Sequence, residues 1–161
     1  MLVRRDLQLE MRMKLADYLN LDDVMYDLEV SSKTQALHAM ADVVSRDAGV
    51  PAAALLAALQ KRERLGSTGI GHGVAIPHTR MEGVDKPRAC LARLKRAVEF
   101  DAIDDLPVDV ILMLITPDVE ANRHLNVLAH FTRKLRVPGV LEQMRAAGDA
   151  TTLCACLTDI A

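Results

Sequence analysis

The sequence predicts one α/β domain, in which helices cover a central sheet. With 161 residues, the chain has the size of one ordinary domain and is long enough to bury a core. Segments with helical periodicity alternate with short strand-like segments, and no repeat or linker interrupts them. Residues 108–117, VDVILMLITP, form a nearly continuous apolar run. Such a run is typical of a strand buried on both faces, which requires helices on both sides of the sheet.

The first predicted elements are a short helix and a strand. LADYL, residues 15–19, fits the helix, and VMYDLEV, residues 24–30, fits the strand. Residues 1–13 lack clean periodicity. We therefore expect them to be a flexible N-terminal extension, and we expect the domain itself to span residues 14–161.

Two longer helices follow in the prediction. Residues 31–49 repeat apolar side chains at helical spacing, with Ser31 or Ser32 as the N-cap and Gly49 as the end. The apolar positions are Ala36, Leu37, Met40, Val43 and Val44. A second helix should start with Pro51 in its first turn and end at the glycine that follows KRERL.

The second half of the chain is expected to contain three strands and three helices. The strands are VAI, PRACLARL and VDVILMLITP, and the helices cover residues 116–136, 139–148 and 149–160. In the first of these helices, Thr116 is the expected N-cap and Pro117 the first residue. Its buried face should carry Leu125, Leu128, Phe131 (or Thr132) and Leu135.

Composition argues against a nucleic-acid partner. The aromatic residues are only Tyr18, Tyr26, Phe100 and Phe131, and tryptophan is absent. Proteins that bind single strands need exposed aromatic side chains on which bases stack. The net charge is −2 and no Lys/Arg block resembles a footprint for phosphate backbones.

Neither a membrane segment nor a disulfide framework is expected. No apolar run reaches the roughly 18 residues that span a bilayer, and the charged start MLVRRDLQLEMRMK has no signal-peptide core. The three cysteines, Cys90, Cys154 and Cys156, have neither zinc-site nor redox-motif spacing. Reduced thiols packed as small hydrophobes in a cytoplasmic protein are the expectation.

The stretch GSTGIGHGVAIPHTR, residues 66–80, concentrates glycines and histidines. It lacks the lysine of a Walker A loop, and it follows a helix and opens a strand, the reverse of a Rossmann loop. Gly69, Gly71 and Gly73 alternate, so the backbone there can adopt positive φ values and expose N–H groups to an anion. We therefore predict an anion-binding loop without a bound nucleotide.

His78 leaves that stretch directly after Pro77, which fixes its own φ and favours extended geometry at the residue before it. A histidine with a pKa of about 6.5 is largely neutral near pH 7, and its free ring nitrogen can attack a phosphoryl group. A phosphohistidine is one interpretation. The other is a strand-end histidine that a backbone hydrogen bond satisfies.

A phosphorylated histidine needs cations and donors around it, because a phosphoryl group carries about two negative charges. Arg62 ends the helix before the loop and could contact the phosphoryl oxygens, although Lys61 and Arg64 compete for that role. His124 stands near a helix start and could donate a hydrogen bond, although alone it would be expected at the surface.

The remaining histidines raise one alternative. His72 could join His78 and His124 in a metal site for hydrolysis, but this spacing, with no acidic residue in the loop, is weak for ligands. No metal or other cofactor is therefore expected. His38 and His130 fall within helical patterns and are assigned to structure.

Three segments together resemble one known family. They are RERLGSTGIGHGVAIPH, FDAIDDLPVDVILMLITP and HLNVLA, starting at residues 62, 100 and 124. They are similar to enzyme IIA of the fructose/mannitol type in the bacterial phosphoenolpyruvate:sugar phosphotransferase system, and most similar to its nitrogen-regulatory branch. The likeness runs from about residue 15 to the end.

The resemblance implies roles for particular residues and a fold. It implies that His78 accepts the phosphoryl group on Nε2, that Arg62 is the active-site arginine and that His124 contacts the phosphoryl group without accepting it. Ser67 and Thr68 would shape the loop, whose glycines (Gly69, Gly71, Gly73) would keep space open for a partner beside His78. The implied fold is a single domain with a mixed sheet of about five strands flanked by helices. His72 departs from the pattern, and its proximity could alter the ionisation of His78.

The resemblance also implies partners. The donor would be an HPr-like phosphocarrier, itself loaded from phosphoenolpyruvate by an enzyme I, so the chain would be a phosphohistidine phosphotransferase. A regulatory IIA changes partners with its phosphorylation state, and potassium transport or sensor-kinase components are the implied targets. A free-standing sugar IIA passing phosphate to a IIB domain is the alternative. A binding module without phosphotransfer should have lost His78 or Arg62, and both are present.

Overall fold

A computed structural model describes residues 14–119 and 121–158. The five helices are α1 Lys33–Ala48, α2 Ala52–Arg64, α3 Ala121–Leu135, α4 Val140–Ala146 and α5 Ala150–Thr158. The six strands are β1 Val24–Leu28, β2 Gly69–Gly71, β3 Val74–Ala75, β4 His78–Met81, β5 Arg88–Val98 and β6 Val108–Pro117. Short 3₁₀ turns at Leu15–Asp17 and Leu21–Asp23 precede β1. The prediction of a flexible extension over residues 1–13 falls outside the described residues.

The strands form one mixed sheet in the order β1-β5-β6-β3-β2, with β4 also paired to β6. β5 and β6 are antiparallel, whereas β1 is parallel to β5, and both β3 and β4 are parallel to β6. β3 and β4 lie on the same side of β6 in consecutive register, separated by Ile76 and Pro77. The predicted mixed sheet is confirmed. It has six strands instead of about five, because two short strands, β3 and β4, share one position beside β6.

Strand β6 separates two apolar cores, as its unbroken hydrophobic sequence predicts. Successive side chains of a strand point to opposite faces, so every second residue shares a face. Ile111, Met113 and Ile115 join the core beneath α1 and α2. Val110, Leu112 and Leu114 join the core beneath α3, α4 and α5. The expected coverage of both faces by helices is therefore confirmed.

Helix α1 begins and ends where its sequence indicates. The Ser32 hydroxyl accepts a hydrogen bond from the Gln35 N–H at 3.1 Å, and Gly49 follows in the left-handed conformation with φ 71°. The second predicted helix is displaced by one residue at its start, since Pro51 is extended and precedes the first helical residue. Its φ of −62° suits either position.

The prediction for the start of α3 is wrong. Thr116 and Pro117 belong to β6, where they pair with Arg80 and Met81 of β4, and the helix begins at Ala121. The predicted apolar face is also wrong at its N-terminal end, because Leu125 is 60% exposed. The buried side chains of this helix are His124, Val127, Phe131 and Leu135. The first turn of α3 thus turns a histidine toward the protein interior.

Arg93 is a buried cation within β5. Its guanidinium donates to the carbonyls of Met144 at 3.0 Å and Ala147 at 2.6 Å, at the end of α4. It also forms an ion pair with Asp27 at 2.8 Å. A positive charge is favourable at a helix C-terminus, so Arg93 fixes α4 against the sheet.

No helix in the described ranges is long and apolar enough to cross a membrane.

Candidate active site

His78 is the first residue of β4 and pairs with Leu114 of β6. Directly before it, the Pro77 carbonyl accepts a hydrogen bond from the Leu114 N–H at 2.9 Å, so the chain is fixed to the sheet on the approach to the histidine. The half-buried His78 ring has its Nδ1 2.7 Å from the Ile76 carbonyl oxygen. A carbonyl only accepts hydrogen bonds, so Nδ1 carries the proton. In the neutral ring, Nε2 then keeps its lone pair.

The surroundings of His78 favour that neutral ring. Burial lowers the pKa of His78, and the positive charge of Arg62 lowers it further. The hydrogen bond to Ile76 and the negative charge of Glu63 act in the opposite direction, but the net shift is downward from 6.5. At neutral pH the imidazole is therefore an uncharged base that can act as a nucleophile.

The ring of His124 lies next to the ring of His78 in the folded protein. It lies in the first turn of α3, and the centroids of the two rings are 5.5 Å apart with their planes tilted by 43°. His124 is 7% exposed, so the expectation that it would lie at the surface is wrong. Its Nδ1 contacts the hydroxyl of Thr116, which is fully buried. Burial, followed by the charges of His78 and Arg80, lowers the pKa of His124 to about 4.

Arg62 reaches the same region from the end of α2. Its Nη1 donates to the Gly66 carbonyl at 2.9 Å, which anchors one edge of the guanidinium and leaves other N–H groups available to a ligand. Among the described cations at this helix end, Lys61, Arg62 and Arg64, it is Arg62 whose charge lowers the pKa of His78. The structure therefore places His78 beside His124 and within electrostatic reach of Arg62.

The turn after α2 is held by its own polar side chains. The Ser67 hydroxyl donates to the Phe100 carbonyl at 2.6 Å and accepts from the Gly69 N–H at 3.0 Å. Thr68 bonds to Glu63 through both its N–H and its hydroxyl. The Thr68 carbonyl in turn accepts from the Ile76 N–H at 3.0 Å. These contacts connect the turn to the segment that carries His78.

The expectation that the alternating glycines keep space open beside His78 is wrong. Gly69 and Gly71 form β2, which pairs with β3 in a hairpin. A Cβ on Gly69 would lie 2.7 Å from the Ala102 Cβ, and one on Gly73 would lie 2.6 Å from an Arg145 nitrogen. These glycines therefore allow close packing within the protein, and the positive φ of Gly71 (98°) and Gly73 (78°) shapes the hairpin.

His72 lies at the tip of that hairpin, away from the other two histidines. The carbonyl of its neighbour Gly73 accepts a hydrogen bond from the N–H of Asp109 in β6. Leu114 is five residues farther along β6, so it lies roughly 17 Å from Asp109 at about 3.4 Å per residue. The structure thus does not assemble His72 with His78 and His124. Its backbone N–H donates to Asp104 at 2.9 Å, and its charge is not among the causes of the shifted pKa of His78. The expectation that His72 lies close enough to alter His78 is wrong.

His38 and His130 lie within α1 and α3, as predicted. His38 faces solvent, and its Nδ1 lies 3.5 Å from a carboxylate oxygen of Asp42. Within residues 14–119 and 121–158, no three histidine, cysteine or acidic side chains are grouped as metal ligands.

A pH-dependent loss of stability is expected from His124. Between pH 6.5 and about 4 the unfolded chain binds a proton at this imidazole and the native chain does not, so native stability falls as the pH falls through that range. Urea unfolding should show that the stability difference between wild type and His124→Gln shrinks from about pH 7 to about pH 4.5.

Asp23 serves as the opposing comparison. Burial and Asp47 raise its pKa from 3.8 to about 6, so its carboxyl favours the native state as the pH falls. The free energy of unfolding of wild type, relative to that of Asp23→Asn, should therefore rise as the pH falls over the same range. A difference for His124→Gln that is constant with pH would contradict the low pKa of His124.

Comparison with known proteins identifies the family of this chain. Residues 17–160 match the family described as Phosphoenolpyruvate-dependent sugar phosphotransferase system, EIIA 2. The chain belongs to this EIIA 2 family. Its members take and pass a phosphoryl group, so this IIA protein is a phosphocarrier in general terms.

Individual relatives refine the position within the EIIA 2 family. The "Nitrogen regulatory protein" of Bradyrhizobium diazoefficiens is 34% identical over 141 residues, which cover 88% of this chain and 92% of that protein. The crystal structure of nitrogen regulatory protein IIA-Ntr from Neisseria meningitidis superposes with a TM-score of 0.86 at 33% identity, over 89% of this chain and 99% of that one. The fructose-specific EIIA component of Haloferax volcanii is 34% identical over 107 residues, 66% of this chain and 70% of that protein. The predicted resemblance to IIA proteins of the nitrogen-regulatory branch is confirmed.

Two residues at the candidate site were not identified as site residues from the sequence. Arg80 contributes a positive charge near His124, and Thr116 contacts the His124 ring. Recognising β4 would have pointed to Arg80, because His78 and Arg80 are two residues apart and share one face of that strand. Thr116 gave no such signal, since its pattern also fits a helix cap.

Proposed function

We propose that His78 accepts a phosphoryl group on Nε2 from the phosphohistidine of an HPr-like carrier, which enzyme I loads from phosphoenolpyruvate. The Nε2 lone pair forms the new N–P bond while the donor's N–P bond breaks, and the donor imidazole keeps that electron pair. The observation that carries this proposal is the 2.7 Å hydrogen bond between His78 Nδ1 and the Ile76 carbonyl. It holds the ring proton on Nδ1, so Nε2 is available without a general base.

The neighbouring side chains suit the charge that arrives. The guanidinium of Arg62 and the positive charge of Arg80 would compensate the phosphoryl dianion. With the Thr116 hydroxyl donating to Nδ1 of neutral His124, the second ring would carry its proton on Nε2 and donate it to a phosphoryl oxygen. Most of the rate enhancement would then come from positioning and charge compensation.

We further propose a regulatory role in the cytoplasm for this IIA protein. Relatives with nitrogen-regulatory names align over most of the chain, and this supports regulation through phosphorylation-dependent partners such as potassium-transport or sensor-kinase components. The fructose-specific relative supports the alternative, a sugar-specific component that passes its phosphoryl group to a IIB domain.

The test is a transfer assay with purified enzyme I, phosphoenolpyruvate and either a nitrogen-type or a sugar-type HPr. We expect one acid-labile phosphoryl group per chain and faster transfer from the nitrogen-type donor. Arg62→Ala should slow transfer roughly a hundredfold to a thousandfold, because an electrostatic donor to the transferring group is lost.

Two comparisons accompany this assay. His124→Ala should slow transfer without abolishing it, whereas Arg64→Ala, which removes a neighbouring exposed cation, should leave the rate near wild type. Unchanged kinetics in Arg62→Ala would move the charge-compensating role to another cation. Faster transfer from the sugar-type donor would favour the transport alternative.

A further inference from the structure

Glu63 is a buried carboxylate beneath the proposed phosphorylation site. Its side chain is 6% exposed and forms an ion pair with Lys33 of α1 at 2.8 Å. It also accepts the Thr68 N–H at 3.1 Å and the Thr68 hydroxyl. Three donors therefore surround this buried carboxylate and offset the cost of removing it from water.

These contacts continue without a break to the reactive imidazole. The carbonyl of Thr68 accepts the Ile76 N–H at 3.0 Å, and the carbonyl of Ile76 accepts the proton of His78 Nδ1 at 2.7 Å. Ile76 is thus held on both sides. Lys33, at the far end of the chain of contacts, lies 4.5 Å from the centroid of the Phe100 ring and 3.4 Å from the Phe100 carbonyl.

We propose that Glu63 and Lys33 are positioning residues, which fix the tautomer and orientation of the His78 ring through Thr68 and Ile76. Neither side chain touches the phosphoryl group. The ion pair fixes Thr68, Thr68 fixes Ile76, and the Ile76 carbonyl then selects the tautomer with its proton on Nδ1. The consequence for transfer rests on the proposed function, whereas the consequence for the ring itself does not.

The physical reason is the cost of misplacing a nucleophile. An imidazole with its proton on Nε2 has no lone pair there, and a displacement of about 1 Å can slow a positioned reaction roughly a hundredfold. Charge-assisted hydrogen bonds are shorter and stronger than neutral ones, so a carboxylate holds Thr68 more tightly than an amide or hydroxyl would. A network that is satisfied at every atom is also rigid.

The test compares Glu63→Ala with Thr68→Val and Thr68→Ser. Glu63→Ala removes the acceptor of all three donors, and Thr68→Val removes the hydroxyl while Thr68→Ser keeps it. Glu29→Ala is the matched control, since Glu29 also pairs with a lysine at 2.8 Å but is exposed and lies outside this network. Two measurements are made: the ¹⁵N NMR pattern of the unphosphorylated His78 ring, and the transfer kinetics that give kcat and KM for the phosphorylated donor.

We expect the wild-type ring to carry its proton on Nδ1, and Glu63→Ala to show a mixture of tautomers. Its kcat should fall roughly tenfold or more with KM for the donor nearly unchanged, because the network lies beneath the site. Thr68→Val should likewise show a mixture of tautomers and a lower kcat. Thr68→Ser and Glu29→Ala should match wild type.

A wild-type ¹⁵N pattern and kcat in Thr68→Val or in a folded Glu63→Ala would overturn the proposal. A change in KM alone would overturn it as well. If Glu63→Ala does not fold, the pair Thr68→Val and Thr68→Ser decides. If wild type accepts no phosphoryl group, the proposed function fails, but the ¹⁵N pattern still tests the positioning of the ring.

Discussion

His78→Ala is expected to abolish acceptance of the phosphoryl group. The nearest other imidazole, His124, is buried. With the Thr116 hydroxyl donating to its Nδ1, its ring proton is on Nε2, so that nitrogen has no free lone pair and offers no equivalent nucleophile. Incubation of the variant with enzyme I, phosphoenolpyruvate and the HPr-like donor should leave the mass of the chain unchanged. His38→Ala removes an exposed histidine on α1 and should accept one phosphoryl group at the wild-type rate.

His78→Ala must be shown to be folded, so that a loss of transfer is not caused by unfolding. His78 lies in a short strand on the sheet, so the thermal unfolding of His78→Ala is measured alongside transfer to show that the protein is folded. Phosphoryl acceptance by folded His78→Ala would mean that another residue is the acceptor.

Gly69→Ala is expected to lower the free energy of unfolding by about 3 kcal/mol, at the upper end for overpacking in a well-packed interior. Its new Cβ would lie 2.7 Å from the Ala102 Cβ and 2.8 Å from the Ala102 Cα. The backbone of Ala102 cannot move aside as a flexible side chain could, so the hairpin and the segment beside it must separate. Urea unfolding monitored by circular dichroism measures this loss.

Gly148→Ala is the matched control. No atom lies within 4 Å of a Cβ at that position, so the free energy of unfolding should change by less than about 0.5 kcal/mol. The folded fraction of Gly69→Ala should still accept a phosphoryl group, because Gly69 packs against Ala102 and not against His78. A Gly69→Ala variant as stable as wild type but slow in transfer would instead place the hairpin at the docking site.

The elements that sequence reasoning identified correctly are those whose signals are local and agree with their burial. Helix α1 has a serine cap and a glycine end, and strand β6 has an apolar run that only a doubly covered strand explains. The candidate site residues His78, Arg62 and His124 were named because they lie in the segments that carry the family resemblance, and their roles stay a prediction. Their distances could not be derived, since β4, α2 and α3 meet only in the folded sheet.

The errors occurred where a local pattern fits two structures. Thr116 followed by Pro117 reads as a helix start, but pairing with β4 extends the strand through both residues. Pro117 is tolerated because it is the last strand residue. Strand β4 itself, HTRM, is short and polar, and it forms because the adjoining β6 supplies its hydrogen-bond partners. In each case tertiary contacts decided between the alternatives.

The alternating glycines show the same limit. Their spacing indicates backbone freedom, but it does not say which neighbour comes close. In the folded protein Gly69 meets Ala102 and Gly73 meets Arg145, both far from Gly69 and Gly73 in sequence. The spacing was therefore assigned to an open loop, although it serves internal packing.

The most direct test of the central claim is the position of the phosphoryl group in the phosphorylated protein. ³¹P and ¹⁵N NMR of uniformly ¹⁵N-labelled chain, phosphorylated by the HPr-like donor, identifies the nitrogen bonded to phosphorus. We expect that nitrogen to be Nε2 of His78, with the proton still on Nδ1 and hydrogen-bonded to Ile76. Phosphorus bonded to Nδ1 of His78, or to any other residue, would contradict the account.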